Sequence, residues 1–223
     1  MLADAIALEW SYLRSAADAT KPHHIPLTQL SSRALDMATA EASGDTATRD
    51  AMVANLIRYL DTDTVLCWAP TTPERLRDPE RPQLRDQQIA VARGIMEYLE
   101  AWVWPGVVIN PVDGDEGMVG KGQPKETREA LAMWMKELDT WKLVGLERVI
   151  HATKSFVIGA RMVAEWGIGG NGLWGIAEAA QAASIEVAFQ TQQWGEVEDT
   201  HDVEKEDMGR QIGGGWLLIV GEV

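Results

Sequence analysis

The sequence predicts a mainly α-helical fold, a helical bundle with one or two short strands, occupying residues 1–223 as a single domain. Three observations lead there. Apolar residues recur at helical spacing over most of the chain. The hydrophobic content of 46% suits a packed core, and 223 residues can bury roughly 70% of their unfolded surface without staples. The clearest extended apolar runs, "TVLCW" and "IGGGWLLIV", are short and far apart.

The elements follow in order. Ile6, Trp10, Leu13 and Ala17 mark an amphipathic helix over about 2–19, which "KPHHIP" ends because two prolines cannot continue it. Pro26 opens a second helix with Leu27, Leu30, Ala34, Leu35 and Ala38 on one side, and "ASGDT" closes it. A third helix runs from about Thr46 to Leu60 on Met52, Val53, Leu56 and Ile57. "TVLCW" is a strand or extended loop, and "PTTPERLRDPERP" is a charged connector. Ile89, Ala92, Ile95, Met96 and Leu99 predict a helix over about 83–102, followed by a glycine- and proline-rich surface segment. Pro124 starts the next helix, and Asp139 or Thr140 caps one running to about Trp166. That helix is apolar nearly all round, so it should be the buried centre of the bundle. "GIGGNG" interrupts before a helix over about 174–193. The last apolar run, 212–220, reads as a strand whose backbone groups need a partner outside the helical bundle. The opening residues "MLADAIALEW" read as the middle of a helix, which suggests further sequence upstream.

A net charge of −14 argues against a nucleic-acid backbone as partner, because binding phosphates needs a concentrated positive field. A basic protein surface is the better electrostatic match. The single cysteine, Cys67, excludes an internal disulfide framework. No run of eighteen uncharged apolar residues is present, so no membrane-spanning helix is expected.

Several motifs suggest chemistry. Asp61-Thr62-Asp63-Thr64-Val65 fits the pattern of haloacid-dehalogenase phosphatases, in which the first aspartate is the nucleophile and the second the acid/base. Those aspartates follow a buried parallel strand, whereas helical periodicity precedes them here, and Asp and Thr are common turn residues. "GIGGNG" matches a dinucleotide fingerprint but follows a helix rather than a strand, which favours a connector. The four histidines, His23, His24, His151 and His201, lack metal-ligand spacing, so no metal or cofactor is expected. Ten tryptophans serve either core packing or an exposed partner surface.

The helix over 174–193 is the most informative. Ile176, Ala180, Ala183, Val187 and Trp194 form an apolar stripe, and beside it Glu186, Gln190 and Gln193 form a polar one at i, i+4 and i+7. This is either a helix with one wet side or a recognition face with a fixed carboxylate, with Trp194 as its apolar neighbour.

"YLDTDTVLCW", "PKETREAL", "LDTWKLVGLERVIHATKS" and "FQTQQWGEVEDTHDVE", with "ALEW" and "IPLTQLSSRALD" before them, resemble one family in the same order. It is that of the alpha-subunit assembly chaperones of the mitochondrial F-type ATP synthase (assembly factor 2), and the texture is fungal-like. The resemblance covers about residues 2–211. It implies a non-enzymatic, ATP-independent chaperone of the mitochondrial matrix that binds the free alpha subunit and promotes assembly of the catalytic head. It implies no cofactor and no small-molecule ligand. A β-rich N-terminal domain would precede the helical one, and 212–220 would pair with it. The family's important glutamate, eight residues before a Trp-Gly pair, falls on Glu186. The rival readings are a phosphatase using Asp61 and Asp63, or an interaction module with another client.

Overall fold

Ten α-helices and one two-stranded parallel ladder make up the described part of the computed structural model, which comprises residues 1–77, 82–117, 120–195 and 201–221. The side chains of Trp194 and of residues 201–204 fall outside that description. The mainly helical prediction holds, down to the small number of strands. In chain order the elements are α1 (Leu2–Ser11), α2 (Pro26–Ala42), α3 (Ala47–Leu56), β1 (Cys67–Trp68), α4 (Leu84–Trp102) and β2 (Val112–Asp113). There follow α5 (Lys125–Glu137), α6 (Thr140–Thr153), α7 (Phe156–Gly167), α8 (Ile176–Ala183), α9 (Ile185–Trp194) and α10 (His201–Val220).

The predicted central helix is buried but divided. α6 begins at the Asp139 cap, whose carboxylate accepts from Lys142 N at 2.8 Å, and ends at Lys154, which is left-handed at φ 56°. Ser155 then caps α7 by accepting from Ile158 N at 3.1 Å. Leu143, Leu146, Ile150, Phe156, Ile158 and Met162 are wholly buried, so this hairpin is the core. Continuous apolar content hid the break, because both halves are equally inside.

Residues 212–220 form part of helix α10, not a strand. Their glycines serve close approach rather than extension. A Cβ at Gly215 would come within 2.7 Å of Val149 Cγ2 and 2.8 Å of Gly145 O. A Cβ at Gly145 would meet Gly215 O at 2.7 Å. α6 and α10 thus touch backbone to backbone, with Ile212, Leu218 and Ile219 buried along the seam. Since the backbone groups of an α-helix pair within the helix, the segment needs no strand partner.

Smaller departures have local causes. The first helix stops at Ser11, and residues to 20 are taken up by turns in which Asp18 bonds Arg14 N and Lys21 Nζ. The third helix tightens to a 3-10 turn over Ile57–Asp61. β2 lies within the segment expected to be surface loop and pairs with β1 in the register Cys67↔Val112. Arg85 fixes this ladder by donating to both carboxylate oxygens of Asp113, at 2.8 and 2.7 Å. Elsewhere Arg49 closes α5, donating to Leu138 O at 2.7 Å while pairing with Glu41.

The seam yields a paired prediction. Gly215→Ala forces α6 and α10 apart and should cost about 1–3 kcal/mol, or roughly 3–10 °C in Tm. Gly209→Ala, whose Cβ would meet nothing within 4 Å, should leave Tm unchanged or raise it slightly through helix propensity. Thermal melts followed by circular dichroism check both.

Candidate functional site

α9 is reached through a chain of packing contacts. α8 buries Ala179 and Ala182 and packs on α10, α6 and α7. The helix predicted over 174–193 then breaks at Ser184, whose hydroxyl lies 3.8 Å from Met208 Sδ of α10. α9 restarts at Ile185 and lies against α4.

Glu186, Gln190 and Gln193 are all exposed on α9, on the single face their spacing dictates. Gln190 Nε2 donates to Glu186 Oε1 at 3.1 Å, which orients the carboxylate along the helix. Glu186 sits in the first turn of α9, where the positive end of the helix dipole favours its charge. Trp194 ends the helix, and its side chain is outside the described set. The predicted apolar stripe is offset. Ala179 and Ala182 are inside, whereas Val187, expected to face inward, is 45% exposed beside Glu186. The offset coincides with the break at Ser184, where α8 ends and α9 restarts.

Asp61 and Asp63 do not converge. Asp61 is exposed and pairs with Arg128 of α5. Asp63 is wholly buried and caps α7 from outside, its carboxylate accepting from Val65 N at 2.9 Å and Val157 N at 3.0 Å. Thr64 fastens the same turn through its hydroxyl to Thr153 O at 3.0 Å. The strand follows this turn rather than leading into it, the reverse of the phosphatase arrangement. Burial pushes Asp63 up to about 6, against the pull of Ser155 and the N–H groups of Val157, Val65 and Phe156. Burial, then the nearby Asp63 charge, raises the Cys67 thiol, opposite to what a nucleophile requires.

The "GIGGNG" residues connect α7 to α8. Glu165 holds them, accepting from Leu173 N at 2.8 Å while pairing with Arg161, itself stacked on Tyr98. Among the described residues no histidine group forms a metal site: His24 lies 3.5 Å from Asp18 and touches His23, while His151 packs on Tyr59. The tryptophans mostly pack, with Trp104 and Trp134 clustered on Phe156 and Trp166 set edge-on to Trp216 of α10. Among the described side chains Trp102, at 73% exposed, and Trp10, at 47%, are the exceptions.

A family model described as "ATP12 chaperone protein" matches residues 1–100. The mitochondrial atp12 protein of Schizosaccharomyces pombe is 30% identical over 227 aligned positions, covering 98% of this chain and 68% of the relative. Mitochondrial ATP12 of Saccharomyces cerevisiae is 32% identical, covering 95% of this chain and 68% of its own length. The chain belongs to the ATP12 chaperone family. The family is described as one of chaperones, and both fungal relatives are mitochondrial proteins. The crystal structure of Atp12 from Paracoccus denitrificans shares the fold, with TM-score 0.69 at 20% identity over 98% of this chain and 81% of that one. The Atu1473 protein of Agrobacterium tumefaciens gives 0.63 at 20% identity, over 98% and 70%.

The burial of Asp63 in this ATP12 fold makes stability depend on pH. Its folded pKa lies above the ordinary carboxyl value, so between about pH 4 and 6 the native state holds a proton that the unfolded state has lost. Its contribution to stability therefore falls as pH rises through that window, by on the order of 3 kcal/mol. In urea melts, Asp63→Asn should lose this segment of the pH profile, so that wild type weakens relative to the variant from pH 4 to pH 6.5.

Proposed function

We propose that this chain is an ATP-independent, non-enzymatic chaperone of the mitochondrial matrix that binds the free alpha subunit of the F-type ATP synthase. It would hold that subunit through the polar face of α9, covering surface the subunit later offers to its neighbour, and release it as the catalytic head assembles. Membership of the ATP12 family supports the chaperone role. The observation that carries the choice of face is the exposed row of Glu186, Gln190 and Gln193, its carboxylate oriented by Gln190 on a helix seated on the bundle.

The physical division of labour follows. Glu186 supplies a directional charge for a basic or hydrogen-bonding group on the client, which contributes register and association rate more than bulk affinity. The exposed Val187 beside it and Trp194 at the helix end supply apolar contact, where aromatic side chains commonly dominate binding energy. The glutamines add hydrogen bonds without a charge to desolvate.

In a pull-down with purified alpha subunit, Glu186→Lys should lower capture about tenfold, the factor that 1.4 kcal/mol of lost affinity gives. Its melting temperature should fall by no more than about 2–4 °C, the loss of the dipole and Gln190 contacts of an exposed side chain. Capture at the wild-type level would remove Glu186 from the interface.

A further inference from the structure

The connector between α7 and α8 contains a residue pair with chemistry of its own. Of Asn55, Asn110 and Asn171, only Asn171 precedes a glycine. Glu165 pins the pair from both sides: its carbonyl accepts from Gly170 N at 2.9 Å, and its carboxylate Oε1 accepts from Leu173 N at 2.8 Å. Asn171 Oδ1 shares the Leu173 N–H at 3.1 Å, which closes a turn of side chain on backbone. Asn171 and Gly172 lie exposed between these bonds. Gly172 adopts φ +70°, and its N–H has no hydrogen-bond partner among the described residues.

These are the conditions under which an asparagine side chain is attacked by the next backbone nitrogen. Gly172 N is unpaired and carries no Cβ to crowd its approach. The Leu173 N–H on Oδ1 draws electron density from Asn171 Cγ and makes it the better electrophile. Neither other asparagine is so placed. Asn55 lies within helix α3, and Asn110 precedes Pro111, which has no N–H to lose.

We propose that Asn171 is a deamidation site, a covalent modification that unfastens the α7–α8 connector from Glu165. After Gly172 N loses its proton to solvent base, it bonds to Asn171 Cγ. The bond from Cγ to the side-chain nitrogen breaks, and ammonia leaves. Water then opens the cyclic imide at one carbonyl or the other, giving aspartate or isoaspartate, with no change of oxidation state. Either product sets a second carboxylate beside that of Glu165, where both had accepted from one N–H. Arg161 already pairs with Glu165 and stacks on Tyr98, so it is not free to balance the new charge. Isoaspartate also lengthens the main chain within a turn pinned at both ends. The inference does not rest on the α9 reading.

The test follows the whole chain by peptide mapping with mass spectrometry. Aspartate and isoaspartate should accumulate at position 171 at pH 8 while Asn55 and Asn110 stay intact, and about tenfold more slowly at pH 7, since the amide must first lose its proton. The free peptide "GIGGNGLWG" is the reference, and the folded chain should react at least as fast. A folded chain about tenfold slower than the peptide would overturn the proposal, because the fold would then protect the site. Asn171→Asp supplies the new charge directly. Its amide exchange at Leu173 should be about tenfold faster than wild type, with the α6–α10 seam unchanged. Exchange at Leu173 at the wild-type rate would overturn the claimed release from Glu165.

Discussion

The close approach of α6 and α10 at Gly145 and Gly215 is the contact on which the rest of the arrangement depends. Two helices that meet backbone to backbone leave no room for adjustment by side-chain rotation, so their relative position is fixed within a few tenths of an ångström. α10 then offers α8 a wall, α8 seats Ala179 and Ala182, and α9 continues from α8 across the Ser184 break. The face proposed for the client is therefore placed by a contact in which it takes no part. Trp166 on Trp216 extends the same joint to α7.

Charged groups inside the bundle serve helix ends. Arg49 meets carbonyls at the close of α5, and Asp63 meets N–H groups at the start of α7, each complementing the sign of the helix terminus. These links tie segments distant in sequence, and one of them explains the Asp-Thr-Asp-Thr pattern. The aspartate that looked like an acid/base is a buried cap, and its partner in the motif is a surface ion pair with Arg128. The motif is specific because the turn must reach α7, and that requirement is structural.

Much of this was legible in the sequence, and the failures have physical causes. Helix existence followed from apolar spacing, and Pro26 and Asp139 marked true starts. Breaks inside buried stretches were not legible, because Lys154 and Ser155 interrupt a run that is apolar on both sides. Residues 212–220 read as a strand because the glycines weaken the helix signal and the branched residues favour extension, whereas the close contact with α6 uses those same glycines in a helix. The Glu186 row was visible because i, i+4 and i+7 share a face whatever surrounds them. The outward turn of Val187 was not, since it comes with the Ser184 break.

The most direct measurement is hydrogen–deuterium exchange on the chain, free and bound to purified alpha subunit. The account predicts slowed exchange at amides of α9, over Ile185–Trp194, with the α6–α10 seam equally protected in both states. An unchanged α9 together with new protection confined to other elements would contradict it.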